Sequence, residues 1–205
     1  MVPSSPDPLW SPRQFIMCAQ TTSSSDSQRA LELLEEGRRL MRLRQSHISI
    51  PMFNEAYQLD PDNPDIRFQM GSVARLQGEL PLALQHLTFC LEHTPERVEV
   101  WLRLGEVLSF SRRYREGVAV TQRAVERHPE NGRIWWRHGR MLRYNQSLDM
   151  ALDALQRAVT APSVKNRANF DLACVLQHLG ETGKARKIFE DLANESDIGL
   201  LGVSA

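Results

Sequence analysis

The segment RIWWRHGRMLRY, which begins at Arg133, carries the residue types most able to bind another molecule. Side chains spaced at i, i+4, i+7 and i+11 share one stripe of a helix. On that stripe and beside it lie Arg133, Trp136, Arg137, Arg140, Arg143 and Tyr144. Guanidinium groups form bidentate hydrogen bonds with carboxylates and phosphates, and they stack on aromatic rings. The stripe therefore suits a carboxylate, a phosphate or an acidic peptide.

Residue patterns typical of catalysis or metal binding are missing from the sequence. It has no glycine-rich phosphate loop, no HExxH, no nucleophile elbow and no paired-cysteine motif. The three cysteines, Cys18, Cys90 and Cys174, are widely spaced, which favours a reducing compartment and a packing role for Cys90 and Cys174. We predict a cytoplasmic protein that is not an enzyme and needs no cofactor or metal.

A repeated pattern surrounds the arginine-rich segment and must position it. Five copies of equal length follow one another without insertion, starting at Ala30, Pro64, Val98, Gly132 and Asn166. Positions 8 and 20 hold a small residue in every copy, and proline stands at position 32 of the first three copies. Copies four and five have Ser163 and Asp197 at position 32.

Each copy is predicted to form two antiparallel helices. Large apolar residues at positions 4, 7 and 11, and again at 24 and 27, follow helical spacing. The small residues at 8 and 20 are expected to face each other, and the proline to stop the second helix. We predict no strand and ten helices, at 30–43, 47–59, 65–77, 81–93, 98–110, 115–127, 132–144, 149–160, 166–178 and 182–195.

Three segments of these copies resemble tetratricopeptide repeats: WLRLG from Trp101, AVERHPEN from Ala124 and FNEAYQLDPDNPD from Phe53. The resemblance extends over the five copies, at 30–63, 64–97, 98–131, 132–165 and 166–199. It implies an all-α, right-handed superhelical solenoid whose concave groove holds a protein or peptide. Arg67, His138 and Asn169 depart from the family pattern, at positions where large apolar or aromatic residues are usual.

The resemblance also assigns the groove, because positions 2, 5, 6, 9, 12 and 13 of each first helix line it in this family. The four residues of the stripe in copy four, Arg133, Arg137, Arg140 and Tyr144, and the flanking Trp136 and Arg143 would all face the partner, with Arg103 and Arg167 on either side. Copy four carries a net charge of +4, the highest of the five. A large aromatic residue on this face, Trp136, is expected to have no core to fill. The family's carboxylate clamp is only partly matched, because Phe68 and Ser72 stand where that clamp has Lys and Asn.

Other interpretations of the stripe and of the whole chain stay open at this point. The chain has 22 Arg and 3 Lys, so dense arginines could simply form a solvated helix face. The layout also resembles the repeat region of bacterial sulfotransferases and glycosyltransferases, of which the chain could be a non-catalytic relative or remnant. An RNA-binding helical repeat is disfavoured, because the basic surface is confined to one copy. Equal numbers of acidic and basic residues, 25 each, also argue against a nucleic-acid partner.

The two ends differ in composition from the repeats. Residues 1–29 are rich in Pro and Ser and are predicted to be disordered, and Met17 is an alternative start. No apolar run approaches the roughly 18 residues of a membrane span. The uncharged tail, 200–205, follows copy five without a polar capping helix, so we expect self-association or a partner there.

Overall fold

The structure is a computed structural model that describes residues 24–201 and consists, over that range, of helices without a strand. The ten helices are α1 (Ser24–Arg42), α2 (Ser46–Leu59), α3 (Pro64–Gln77), α4 (Leu80–His93), α5 (Val98–Phe110), α6 (Tyr114–Arg127), α7 (Gly132–Tyr144), α8 (Leu148–Val159), α9 (Lys165–His178) and α10 (Thr182–Leu201). They form a helical solenoid of consecutive pairs, so the predicted fold class is confirmed. In the part described, no helix is long and apolar enough to cross a membrane.

The predicted helix bounds hold to within one residue except at the two ends. α1 begins at Ser24, so residues 24–29, which the sequence assigned to a disordered segment, form its first turns. α10 continues to Leu201, beyond the predicted end at residue 195. The rest of the predicted disordered segment and the last four residues of the predicted tail lie outside the described residues.

The backbone repeats with the same period as the sequence. The turn between the two helices of each copy contains one residue with positive φ, and these residues are Arg44, Gly78, Arg112, Gln146 and Gly180. Their φ angles lie between 55° and 84°, in the left-handed region that non-glycine residues enter at a cost. Each follows the previous one by a full repeat, so the turn geometry is inherited from copy to copy even where the side chain is not glycine.

The small residue at position 8 makes room for a side chain other than the predicted one. A Cβ on Gly37 would lie 2.6 Å from the ring of Phe53, and a Cβ on Gly139 would lie 2.6 Å from Leu155. Both neighbours stand at position 24, so position 8 meets this residue more closely than the predicted position 20; in copy two a Cβ on Gly71 would lie 2.9 Å from Leu87 at position 24 and 3.5 Å from the carbonyl of Ala83 at position 20. Position 20 is crowded instead by the next copy, since a Cβ on Gly117 would lie 2.5 Å from the sulfur of Met141 in α7. Small residues thus allow close approach both of the two helices within a pair and of one pair to the next.

Successive copies are joined by a donor at position 4 and the proline carbonyl before it. The indole N–H groups of Trp101 and Trp135 donate to the Pro95 and Pro129 carbonyls at 2.7 and 2.6 Å. In copy two the Nε of Arg67 donates to the Pro61 carbonyl in the same way. The Nε–H of Arg67 therefore makes the hydrogen bond that an indole N–H makes in copies three and four. This bond explains how the buried position tolerates a cation.

The same three copies place a cation against an aromatic ring between positions 4 and 26. Arg67 lies 3.8 Å from the centre of the Phe89 ring, whereas copies three and four have the reverse order. There Arg123 lies 5.8 Å from the Trp101 ring and Arg157 lies 4.7 Å from the Trp135 ring. The cation and the ring have exchanged positions while the contact has been kept.

Candidate functional site

A cleft of about 280 Å³ opens between α5, α7 and the beginning of α9. Its lining holds five of the eight residues predicted to bind a peptide: Arg133, Trp136, Arg137, Arg140 and Arg167. The other lining residues are Leu102, Glu106, Ser109, Phe110, Ser163 and Val164. The first helices of three consecutive pairs thus meet at the arginine-rich stripe.

Local structure at α7 fixes where the arginines point. Asn131 caps the helix, its side-chain oxygen accepting from the backbone N–H groups of Arg133 and Ile134. Across the cleft, Gly105 in α5 leaves space for the stem of Arg137, because a Cβ there would lie 3.1 Å from the arginine Cγ. The small residue at position 8 of copy three therefore also lets the Arg137 guanidinium reach the cleft.

Trp136 is buried, contrary to the expectation that it has no core to fill. Only 9% of the residue is exposed, and it belongs to the apolar cluster formed with α8 and α9, including Leu142 and Leu172. Its indole N–H donates to Oδ2 of Asp171 in α9 at 2.8 Å. The expectation was wrong because the next copy's first helix packs across position 5. The ring forms the floor of the cleft.

Asp171 is the acidic residue that the sequence reading missed. It is 5% exposed, and its carboxylate accepts from Arg143 at 3.0 Å and lies 3.4 Å from Nε of Arg140. Asp171 occupies position 6 of copy five, the same groove position as Arg103 and Arg137. Its groove position beside the arginine stripe of copy four was the sequence feature that could have predicted this ion pair.

Three of the predicted residues do not line the cleft. Arg143 points to Asp171, and Arg103 pairs with Glu106 at 2.7 Å. Tyr144 stacks on Tyr114 with ring centres 5.4 Å apart, and its hydroxyl accepts from Arg140 at 3.1 Å. These residues hold the walls of the cleft in place, so the predicted set separates into a lining group and a supporting group.

Three lining arginines have no acidic partner among the described residues. Arg133, Arg137 and Arg167 make no ion pair there, and the buried Nε of Arg137 has no hydrogen-bond partner. Burial lowers the pKa of the Arg137 guanidinium to about 10; the charges of Glu106 and Asp171 oppose this shift, and those of Arg140 and Arg103 add to it. Arg137 is thus charged at neutral pH and partly stripped of water, a state that an anion would relieve.

Two of these arginines, together with Arg140, lie around the Trp136 ring. The guanidinium carbons of Arg137, Arg140 and Arg167 lie 5.0, 5.2 and 5.7 Å from its centre. Arg133 and Arg167 are exposed to solvent at the mouth of the cleft, where they can meet a ligand without displacing a protein contact. Within the described residues no group of three or more His, Cys, Asp or Glu side chains could hold a metal ion. The cleft thus brings four guanidinium groups together around one indole ring.

Comparison with known proteins agrees with this solenoid. A family model described as tetratricopeptide repeat matches residues 34–88 and 102–165, more than half of the chain. The chain belongs to the tetratricopeptide repeat family. The sequence resemblance to this family is thereby confirmed. No curated protein matches the chain in sequence.

Many solved structures share this tetratricopeptide repeat fold. MamA, residues 41 to the end, from Desulfovibrio magneticus RS-1 has a TM-score of 0.71 at 18% identity, covering 81% of this chain and 94% of its own. PilF of Pseudomonas aeruginosa has a TM-score of 0.70 at 16% identity, covering 83% of this chain and 78% of its own. YrrB, described as a TPR protein with an unusual peptide-binding site, has a TM-score of 0.66 at 16% identity, covering 89% and 94%. At these identities the likeness concerns the fold.

Proposed function

We propose that this tetratricopeptide repeat protein is a non-enzymatic adaptor that captures an acidic or carboxylate-bearing protein segment in the cleft between α5, α7 and α9. The observation that supports this most directly is the convergence of Arg133, Arg137 and Arg167, none of which has an acidic partner among the described residues. Other arginines near the groove, such as Arg103 and Arg143, are already paired with carboxylates.

Burial separates this site from a solvated helix face. On a solvated face each arginine would reach water and lose little by lacking a partner. Arg137 instead lies against the position of Gly105 and beside Trp136, makes no ion pair within 4 Å among the described residues, and has its pKa lowered by burial. A charge held in this way is costly unless an anion joins it, which favours the binding interpretation.

The family supports the class of partner. Tetratricopeptide repeats bind proteins or peptides, and peptide binding is part of the description of YrrB. The described thiols, Cys90 and Cys174, are free, and Cys90 is buried with Sγ 3.2 Å from the Pro64 carbonyl, which fits the predicted cytoplasmic location. Self-association through the end of the array stays a prediction, because the side chains that it invokes lie outside those described.

A defined probe tests the proposal. Fluorescein-labelled octaglutamate should bind the full chain, and octaserine and octalysine should not. Binding should weaken as NaCl rises from about 0.05 to about 0.5 M, since the screening length for exposed charges falls from about 14 Å to about 4 Å over this range. Fluorescence anisotropy measures both effects.

Charge reversal locates the site. The double variant Arg133→Glu, Arg167→Glu should lower octaglutamate affinity by at least about tenfold, because it changes the local charge by four units. The matched control is Arg123→Glu, Arg157→Glu, which makes the same charge change on the second helices α6 and α8. Circular dichroism confirms that both variants remain folded. Equal losses in the two variants would show non-specific attraction and reject the cleft.

A further inference from the structure

We infer that the group received by the cleft is a phosphoryl dianion on a side chain of the partner, so that the protein recognises a phosphorylated segment. This inference rests on the proposed function and narrows it from acidic segments in general to one class. It follows from how the charges in the cleft are already compensated and from what is left over.

A carboxylate of the chain itself, that of Asp171, already occupies some of the donors in this region. Asp171 accepts from Trp136 and Arg143 and lies beside Arg140, and its side chain is only 7% exposed. A partner carboxylate therefore cannot take these donors without displacing Asp171 from a buried position. The donors that remain for a ligand belong to Arg133, Arg137 and Arg167, and the Nε of Arg140, although ion-paired with Asp171, is also without a hydrogen-bond partner.

The remaining charge exceeds what one carboxylate can balance. Three guanidinium groups make no ion pair within 4 Å among the described residues. Glu106, the acidic residue of the lining, is paired with Arg103 at 2.7 Å, lies 4.0 Å from Nε of Arg75, and attracts Arg137 only at longer range. A phosphomonoester carries about −1.5 to −2 charges at pH 7 and offers three acceptor oxygens. It can accept from three guanidinium groups at once, whereas a carboxylate has two oxygens.

The dimensions and edges of the cleft suit a modified side chain rather than a long stretch of backbone. Its volume of about 280 Å³ lies at the lower limit for small-ligand pockets. Phe110, which is 58% exposed, and Leu102 form an apolar edge on α5. Ser163 and Val164 bring the beginning of α9 to the opposite edge, where the helix dipole adds a small attraction for an anion. The anion would therefore lie towards α9 and the neighbouring residue of the partner towards Phe110.

Capped tripeptides that differ in one residue test the inference. Acetylated and amidated Ala-X-Ala is titrated into the full chain, with X as phosphoserine, Asp, Glu or Ser, so that the X side chain carries the only charge. Nuclear magnetic resonance follows the Nε–Hε group of Arg137. We expect phosphoserine to bind at least about tenfold more tightly than Asp or Glu at pH 7.5, and Ser not to bind.

Two controls assign this preference to the cleft and to the dianion. Arg133→Gln, Arg167→Gln should remove the advantage of phosphoserine, and Arg123→Gln, Arg157→Gln should keep it. Lowering the pH to about 5 should reduce phosphoserine binding several-fold, because the second phosphate pKa is about 6. No histidine lines the cleft; its charged lining groups are Glu106 of α5 and the lining arginines, with Asp171 of α9 behind them, against Trp136 and Arg143. The phosphate is therefore the group expected to titrate in this range.

The outcomes separate this inference from the proposed function. Equal binding of phosphoserine and Asp peptides overturns the phosphoryl preference and leaves the acidic-segment adaptor standing. Absence of octaglutamate and phosphoserine binding alike overturns both. Inorganic phosphate binding as tightly as the phosphoserine peptide would contradict a phosphorylated segment as the ligand, because the peptide should add its contact with Phe110. Binding of a dinucleotide phosphodiester as tight as that of phosphoserine would also contradict the inference, since that group is a monoanion.

Discussion

Trp135 and Trp136 are neighbours in sequence and belong to different parts of the molecule. Trp135 donates to the Pro129 carbonyl and meets Arg157, and the same arrangement recurs at Trp101 and, with cation and ring exchanged, at Arg67. Trp136 donates to Asp171 and is surrounded by three guanidinium groups, and among the described residues no other copy has this arrangement.

The comparison distinguishes architecture from site. An arginine–aromatic contact that returns with the period of the sequence belongs to the way in which copies are built and stacked. A contact that occurs in one copy, at a cleft whose arginines lack partners, has no such explanation. In a repeat protein the departure from the period is therefore the more informative signal of function.

The largest effect is expected for tryptophan truncation. Trp136→Ala should lower the free energy of unfolding by about 3–5 kcal/mol, as should Trp101→Ala, because both indoles are buried and hydrogen-bonded. Trp136→Phe should lose less, since it keeps the ring and gives up the donor to Asp171. Urea denaturation measures all three. A loss below about 1 kcal/mol for Trp136→Ala would place the ring outside the core.

A smaller, pH-dependent effect is expected from His138, which stands where the family has a large apolar residue. Burial lowers the pKa of His138 to about 4, while an unfolded chain takes up this proton near pH 6.5. Its contribution is therefore complete above pH 6.5 and is lost as the pH falls from 6.5 through about 4. The loss is of the order of 2–3 kcal/mol.

His138→Leu checks this dependence, because leucine restores the family residue and Thr121 keeps its hydrogen bond to the Gly117 carbonyl. The variant should lose less stability than the wild type between about pH 7 and about pH 4.5. The variant should still lose some stability at acidic pH, since burial also lowers the pKa of His86 to about 4 and this residue is present in both proteins. Parallel pH profiles for the two proteins would contradict the assignment.

The smallest effect is expected in the periodic turn. Gln146→Gly should raise the free energy of unfolding by about 0.5–1 kcal/mol, because glutamine has φ of 64° there. Gly78→Ala, at the equivalent position with φ of 81°, should lower it by about 1 kcal/mol. Thermal denaturation of both variants is sufficient. Changes of the same sign would show that the turn is not equivalent in the two copies.

The sequence predicted the periodic part of the molecule well, for a physical reason. Helix bounds, pairs and stacking follow from apolar spacing and from small residues that recur at the same positions of every copy. Its errors concern contacts between helices, within a copy and between copies, that the period does not specify. Position 8 meets position 24, and Trp136 is covered by α9, because one-dimensional spacing assigns a face to a residue but not the neighbour across it.

The candidate site was predicted in part for the same reason. The helical stripe placed Arg133, Arg137 and Arg140 together, and the cleft contains all three. Asp171 was missed, because its role depends on the approach of α9 to Trp136. Which arginines are paired and which are left over could be read only from distances between helices.

A crossover between two double variants tests the central claim most directly. Arg133→Gln, Arg167→Gln removes cleft arginines, and Arg123→Gln, Arg157→Gln removes periodic ones; each pair is exposed and carries two charges. Unfolding free energy and octaglutamate affinity are measured for both. The first variant should lose at least about tenfold in affinity and at most about 0.5 kcal/mol of stability, from the single cation–π contact of Arg167 with Trp136. The second should keep its affinity and lose about 1 kcal/mol of stability from its cation–π contacts. Equal changes in both quantities would contradict the separation of architecture from site.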